Sequence, residues 1–246
     1  MIRLVDVTKQ FLDPQGRPRV AVDRVNLDVL GGETLALVGT SGCGKTTTLK
    51  LINRLVEPTS GVIAVDGTDI RQRDIIELRR CIGYVIQAGG LFPHMTVGRN
   101  VALLCELESW DAGRRDRRVR ELLELVGLAP SEFAQRFPRE LSGGQRQRVG
   151  LARALALDPP YVLMDEPFGA LDPVTRHQIH EQFLELKERV RKTIIVVTHD
   201  LSEAFRLADR VAVMDGGRLL QVGTEEDLRE RPADRFVRDF LRERQP

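Results

Sequence analysis

The chain opens with alternation. In IRLVDV (2–7) apolar and polar positions trade places as on a half-buried β-strand, and VNLDV (25–29) repeats the pattern. Between them DPQGRPR (13–19) carries turn residues. TLALV (34–38) differs: it is a near-continuous apolar run ending in glycine, as expected of a strand buried on both faces. Lys45–Leu55 predicts a helix, VIAVDG (62–67) a strand and turn, and CIGYVIQ (81–87) a further strand. From Thr96 to about Asp158 the character changes. Leu, Glu and Arg dominate, and apolar residues recur at helical spacing: Leu122, Leu123, Leu125 and Val126, then Val149, Leu151, Ala152 and Leu155. Strands return as YVLMD (161–165) and IIVVT (194–198). The helix joining them runs from Pro173 to about Val190, with Pro173 in its first turn and Asp172 as its cap. RVAVMDGGRLLQVG (210–223) predicts a hairpin around Asp215-Gly216-Gly217, and the tail from Thr224 is amphipathic and charged.

These elements describe an α/β core with a helical insert, and 246 residues suffice for it. No apolar run approaches the ~18 residues of a membrane span, and the opening reads as a strand rather than a signal peptide. Apolar residues make up 42% and charged residues 30%, so composition favours an ordinary globular chain. A formal charge of +1 gives no ground for bulk nucleic-acid binding. The clusters Arg114, Arg115, Arg117, Arg118 and Arg235, Arg238, Arg242, Arg244 alternate with acids, as solvated helix faces do. Three cysteines without framework spacing fit a reducing compartment.

Three strand ends carry candidate chemistry. After TLALV comes GTSGCGKT: Gly39, Thr40, Ser41, Gly42, Cys43, Gly44, Lys45 and Thr46, followed by Thr47. It fits the G-x-x-x-x-G-K-[ST] phosphate loop in the strand-then-helix context that loop requires. Glycines let backbone N–H groups turn inward around an anion, and the helix start adds its dipole. Lys45 is a point charge for the β- and γ-phosphates, and Thr46 a hydroxyl for Mg²⁺. Cys43 reads as a small filler, since no base is evident beside it. YVLMDEP delivers Asp165 and Glu166 at the carboxyl edge of a buried strand. Asp165 is placed to hold Mg²⁺ through water, and Glu166 to deprotonate an attacking water. IIVVTHD ends at His199, within reach of a γ-phosphate or that water. The bland alternatives are a chance glycine turn, a solvated acid pair and a surface histidine. Convergence of all three on one edge favours a nucleoside-triphosphate hydrolase. His177 and His180 lie three apart on a helix, but no third metal ligand is in view. His94 sits in a Phe-Pro loop and reads as surface or interface.

LSGGQRQRV (141–149) decides the class. Together with Gly39–Thr46, Gln87, YVLMDEP, Leu171-Asp172 and His199, in this order, it resembles the ATP-binding subunit of ATP-binding-cassette transporters over essentially all 246 residues. The resemblance implies a P-loop NTPase (RecA-like) core, 1–87 with 158–223, that includes an antiparallel β subdomain. It also implies an inserted α-helical subdomain at 88–157 and a helical tail at 224–246. It makes Phe11 the aromatic that stacks on adenine, with Val20 beside it; the alternative for Phe11 is a core residue before a turn. Gln87 becomes the glutamine that meets Mg²⁺ and the attacking water. Ser142, Gly143, Gly144 and Gln145 become the signature that contacts the γ-phosphate held by a second copy, and Asp172 crosses that interface. The cofactors implied are ATP and Mg²⁺. The partners are a second copy, transmembrane permease subunits that meet the surface near Phe92–Thr96, and a solute-binding protein; nucleic acid is not among them. The location implied is peripheral, on the cytoplasmic side of the cell membrane.

SGCGKTTTLKLINRLVEPTSGVIAVDGTDI and IGYVIQAGGLFPHMTV look like the subfamily that imports quaternary-ammonium osmolytes such as glycine betaine, choline, carnitine and proline. An amino-acid importer, a soluble cassette ATPase of DNA repair or translation, and a regulatory module without turnover are the alternatives. The second alternative usually carries a coiled-coil insert or two fused cassettes, and Glu166 with His199 speak against the third. The sequence departs from relatives in three places. It ends at Pro246, where many continue into a pair of regulatory domains. Arg99, after Gly98, stands where glutamate often precedes the asparagine. The turn at 13–19 is longer.

Overall fold

A computed structural model of the chain describes residues 1–87, 90–169 and 173–242. The elements begin with β1 (Ile2–Leu12), β2 (Pro18–Val29), β3 (Thr34–Gly39), α1 (Lys45–Ile52), β4 (Ser60–Val65), β5 (Thr68–Asp69) and α2 (Ile75–Arg80). Next come β6 (Ile82–Val85), α3 (Val97–Leu107), α4 (Ala112–Leu125), α5 (Pro130–Phe133), α6 (Gly143–Ala154), β7 (Tyr161–Asp165) and α7 (Pro173–Val190). The chain closes with β8 (Thr193–Val197), α8 (Leu201–Leu207), β9 (Arg210–Asp215), β10 (Arg218–Gly223), α9 (Glu225–Glu230) and α10 (Arg235–Arg242). It divides into two compact units, Met1–Arg79 with Thr193–Pro246, and Arg80–Lys192.

The first unit holds an antiparallel sheet in the order β2-β1-β4-β5. It also holds β3 between parallel neighbours β8 and β9, with β10 antiparallel on β9. Every residue of β3 is buried, as the unbroken apolar run predicts. The entrance of β3 is pinned by side chains: Glu33 takes Arg210 in a two-pronged pair at 2.8 and 3.0 Å, and Asp209 accepts the Thr34 N–H at 2.7 Å. Arg218 on β10 reaches Asp23 on β2 at 2.7 Å and ties the hairpin to the antiparallel sheet.

β1 and β2 run further toward each other than the alternation suggests, and the turn shrinks to the residues from Asp13 to Arg17. The Asp13 carboxylate accepts from the Gln15 and Arg17 N–H groups and from Arg17 Nε, so a five-residue turn closes itself. Most of the extra strand residues, 10–12 and 18–20, are exposed, so they carry no hydrophobic alternation. Helix α1 stops at Ile52, short of Leu55, because Arg54 enters the left-handed region at φ 49. The apolar Leu55 beyond it hides that stop. β5 and α2 are too short to show a period.

The second unit pairs β6 with β7 in parallel, Val85 opposite Met164, and carries the helical stretch expected between Thr96 and Asp158. Helices α3, α4 and α6 start on side-chain caps, Thr96 on Arg99 N, Asp111 on Arg114 N and Ser142 on Gln145 N. Helix α7 presents Ile179, Phe183 and Leu186 as one buried stripe; Asp172, expected as its cap, lies outside the described residues. Two arginines of α4 are taken up: Arg114 lies over the Trp110 ring, and Arg118 donates to the carbonyls of Leu155 and Ala156. No helix among the described residues is long and apolar enough to cross a membrane.

One buried amide organises the segment before α3. Asn100 has no exposed surface; its Oδ1 accepts the Phe92 N–H at 2.8 Å and its Nδ2 donates toward the carbonyls of Phe92, Met95 and Thr96 at 3.0–3.1 Å. Asn100→Ala leaves these groups without a buried partner, and the expected loss is about 2–3 kcal/mol. A lower melting temperature in calorimetry, with nucleotide affinity retained, checks it.

Candidate functional site

The phosphate loop follows β3 in the first unit. Gly39 has φ 152, and a Cβ there would stand 2.0 Å from the Met214 carbonyl oxygen and 2.7 Å from Cys43 Sγ. Gly44 has φ 107, and a Cβ would meet the Ala21 carbonyl oxygen at 2.5 Å. Both positions therefore exclude any side chain. Cys43 is buried and packs inward as a filler, as its surroundings in sequence suggest. Lys45, 7% exposed, folds over the loop and donates to the carbonyls of Gly39 at 3.0 Å and Thr40 at 2.9 Å. Ser41 and Gly42 are exposed, and Thr46 and Thr47 half-buried in the first turn of α1. N–H groups at that helix start, with a lysine beside them, form a cradle for a phosphate.

Two supports of this loop were not legible in the sequence. Thr40 Oγ1 donates to Asp215 Oδ1 at 2.8 Å, and the Gly217 N–H donates to the Cys43 carbonyl at 3.2 Å. Asp215 and Gly217 read there only as hairpin residues. His199 emerges at the same edge. Leu37 pairs with Val197 in parallel register and accepts the Thr198 N–H at 3.2 Å, so Gly39 and His199 each follow two residues beyond matched positions. His199 is exposed, and Asp200 after it caps α8.

Phe11 and Val20 line an open cleft of about 400 Å³ with Arg19, Gly42 and Thr47. Phe11 is 42% exposed, so it is not a core residue. Lys9 Nζ stands 5.0 Å from its ring centroid and donates to the Glu57 carbonyl at 2.8 Å, which braces the ring from one side.

The second unit carries the carboxylates. β7 is buried throughout and ends at Asp165, 8% exposed. Glu166 follows in the left-handed region at φ 45 and turns the chain sharply out of the strand. Gln87 comes from the end of β6, the partner of β7, and its Nε2 donates to Glu166 Oε2 at 3.0 Å. Burial, with the Asp165 charge as the smaller contribution, pushes the Tyr84 hydroxyl up to about 12.

In the same unit Ser142 is exposed at the start of α6. Its Oγ accepts the Gln145 N–H at 3.2 Å, and Gln145 Oε1 accepts the Ser142 N–H at 2.9 Å. The N–H groups of Gly143 and Gly144 have no acceptor within the helix, so α6 also begins as an anion-directed terminus. Among the described residues no three His, Cys, Asp or Glu side chains gather as a metal cage. His177 is exposed and His180 packs edge-on to Phe168 at 4.9 Å. His94 is exposed beside Phe92.

A strand-loop-helix phosphate cradle with a carboxylate strand end and a Ser-Gly-Gly-Gln helix start defines a nucleotide-binding cassette. The chain belongs to the ABC transporter family, which its residues 22–169 match. It is 51% identical to the choline transport ATP-binding protein OpuBA of Bacillus subtilis over 98% of this chain and 62% of that one. It is 50% identical to the glycine betaine uptake system ATP-binding protein YehX of Escherichia coli over 98% of this chain and 76% of that one. The chain thus spans less than two thirds of the length of OpuBA. Among solved structures it resembles the ATP-binding cassette MJ0796, seen as a dimer bound to ADP and Pi. The TM-score is 0.81 with 35% identity, covering 91% of this chain and 98% of that one. The fold is the α/β fold of that cassette, with an antiparallel β subdomain and a helical subdomain.

Burial of Tyr84 makes a measurable statement. The folded hydroxyl titrates near 12 instead of its ordinary 10.0, so an unfolded chain releases that proton first and stability falls as pH rises from about 10 toward 12. Tyr161 is the only other tyrosine. In Tyr161→Phe, absorbance at the tyrosinate band is expected to rise near pH 12; a midpoint at 10 contradicts the half-buried placement of Tyr84.

Proposed function

We propose that the chain is the ATP-hydrolysing subunit of an importer for a quaternary-ammonium osmoprotectant such as glycine betaine or choline. The observation that carries this reading is about 50% identity along 98% of the chain to proteins of choline and glycine betaine transport. The ATPase does not contact the solute in such an assembly, so the substrate rests on kinship and the ATPase chemistry on the residues.

In this reading adenine stacks on Phe11 beside Val20. The N–H groups from Gly39 to Thr47, with Lys45, bind the phosphates. Glu166 takes the proton of the attacking water while Gln87, bonded to it, holds it in place, and His199 stabilises the γ-phosphate. The donors Thr46, Gln87 and Asp165 offer a hydroxyl, an amide oxygen and a carboxylate, a hard oxygen set that suits Mg²⁺. Bound there, the ion would neutralise phosphate charge.

Two copies work together. Ser142–Gln145 of one meets the γ-phosphate held by the other, with Asp172 at the shared interface, and the dimeric form of MJ0796 supports this arrangement. Functionally, 1–87 with 158–223 forms the nucleotide core, 88–157 the signature-bearing helical subdomain and 224–246 the tail. Membrane permease subunits dock on the helical subdomain from the cytoplasmic face, and a solute-binding protein joins through them. A cleft of about 590 Å³ between α3, α4 and α5 offers them apolar Ala102 and Val119 under a rim of Arg99, Arg115 and Glu106. Arg99 stands 3.8 Å from Glu106 there, and Arg115 stands 3.8 Å from the same carboxylate. With Asp116 and Arg120 also lining it, the cleft holds three guanidiniums against two carboxylates, which leaves positive charge for a partner's carboxylate.

Glu166→Gln is expected to bind ATP with unchanged affinity and to dimerise in its presence on size exclusion. Phosphate release should fall about 10²–10⁴-fold; undiminished turnover removes Glu166 from the base role. The solute is tested separately. A solute-binding protein that co-purifies with the assembled transporter should gain thermal stability from glycine betaine or choline. No gain from either sinks the osmoprotectant reading and leaves the ATPase reading standing.

A further inference from the structure

Asp215 ends β9 at the same edge as the phosphate loop. Met214 pairs with Gly39 in the parallel register of β9 and β3, and its carbonyl oxygen stands 2.0 Å from the place of a Gly39 Cβ. Asp215 is the residue immediately after that contact. Its Oδ1 accepts from Thr40 Oγ1 at 2.8 Å. The Thr40 carbonyl in turn accepts from Lys45 Nζ at 2.9 Å. Thr40 thus stands between a carboxylate on its side chain and an ammonium on its backbone. Covalent geometry keeps the hydroxyl and carbonyl oxygens of one threonine within about 4 Å, so the two charges lie within about 10 Å of each other. That is about one Debye length at physiological salt, a range over which a charge is still felt.

The Asp215 side chain is half-buried. Among the described residues the Thr40 hydroxyl is the one donor to its carboxylate, and no cation pairs with it. Other carboxylates of this unit do have cations: Glu33 has Arg210, Asp23 has Arg218 and Asp28 has Arg3. Holding Thr40 requires only an acceptor, which a neutral amide would also supply. The carboxylate adds a net negative charge beside a cradle of N–H groups built for an anion. Like charges repel, so the contact that orders the loop also weakens its hold on phosphate.

We propose that Asp215 sets the nucleotide affinity of the phosphate loop. Through Thr40 it is a positioning residue that keeps the loop in shape, and its unpaired charge opposes the bound phosphates and favours their release. Both roles rest on nucleotide binding at Gly39–Thr46.

Asp215→Asn keeps the shape of the side chain and an acceptor for Thr40, and removes the charge. Isothermal titration of the full chain with ADP, which undergoes no turnover, reads the affinity. At about 50 mM salt Asp215→Asn is expected to bind ADP about three- to tenfold more tightly than the wild type. The gain should fall below about twofold near 1 M salt, where the Debye length is about 3 Å. A fold damaged by the substitution binds more weakly, so a tighter Kd cannot come from that source. Asp215→Ala removes charge and acceptor together, and is expected to bind at least about threefold more weakly than Asp215→Asn. Thr40→Val should weaken binding in the wild-type background and add nothing in Asp215→Ala. Equal or weaker binding by Asp215→Asn, or a gain that survives high salt, overturns the charge role. Asp215→Ala as tight as Asp215→Asn, or additive effects of Thr40→Val and Asp215→Ala, overturns the positioning role. A wild-type chain that does not bind ADP overturns the nucleotide reading of the loop itself, and both roles with it.

Discussion

The loop between β3 and α1 can close only where two backbone segments come within van der Waals contact of it. The Met214 carbonyl occupies the place of a Cβ on Gly39, and the Ala21 carbonyl the place of a Cβ on Gly44. These contacts fix the loop from outside, so its N–H groups need no ligand to hold their direction. Lys45 rests on two loop carbonyls, Thr40 leans on Asp215 and Gly217 holds Cys43. The hairpin of β9 and β10 is therefore part of the phosphate site, although no residue of it matches a phosphate-binding pattern. Such preorganisation lowers the ordering cost of binding an anion.

The second unit solves a different problem. Glu166 has to leave a strand buried on both faces and present a charge, and the chain manages this with one residue in a sparsely populated conformation. The cost is met by the surroundings: Gln87 bonds the carboxylate, and Phe168 anchors the following residues edge-on against His180 and Phe183. The start of α6 contrasts with that of α1. It carries a serine and two glycines, and the Arg146 guanidinium is turned back onto the Leu141 carbonyl at 2.7 Å, while Lys45 of α1 folds over the loop carbonyls.

Much of this was legible because each piece has its own sequence signal. The continuous apolar runs of β3, β7 and β8 and the glycine spacing at 39–44 gave their elements within a residue. The reciprocal Ser142 and Gln145 cap was written as a Ser-x-x-Gln spacing. What escaped lacks such a signal. The tip of the β1–β2 hairpin, 10–12 with 18–20, is exposed on both faces, so nothing alternates there. The stop of α1 depends on the conformation of Arg54, a residue type with no preference for it. Asp215 supports Thr40 across 175 positions, and Gln147 reads as one more polar residue in a helix until its burial is known.

The amide of Asn100 reaches back across a full turn to grip four backbone groups from Phe92 to Thr96, so this segment and α3 share one set of bonds. Its consequence is mechanical. A displacement at Phe92, Met95 or Thr96 strains a buried hydrogen bond to Asn100, so it is felt at α3 as well as in the segment itself.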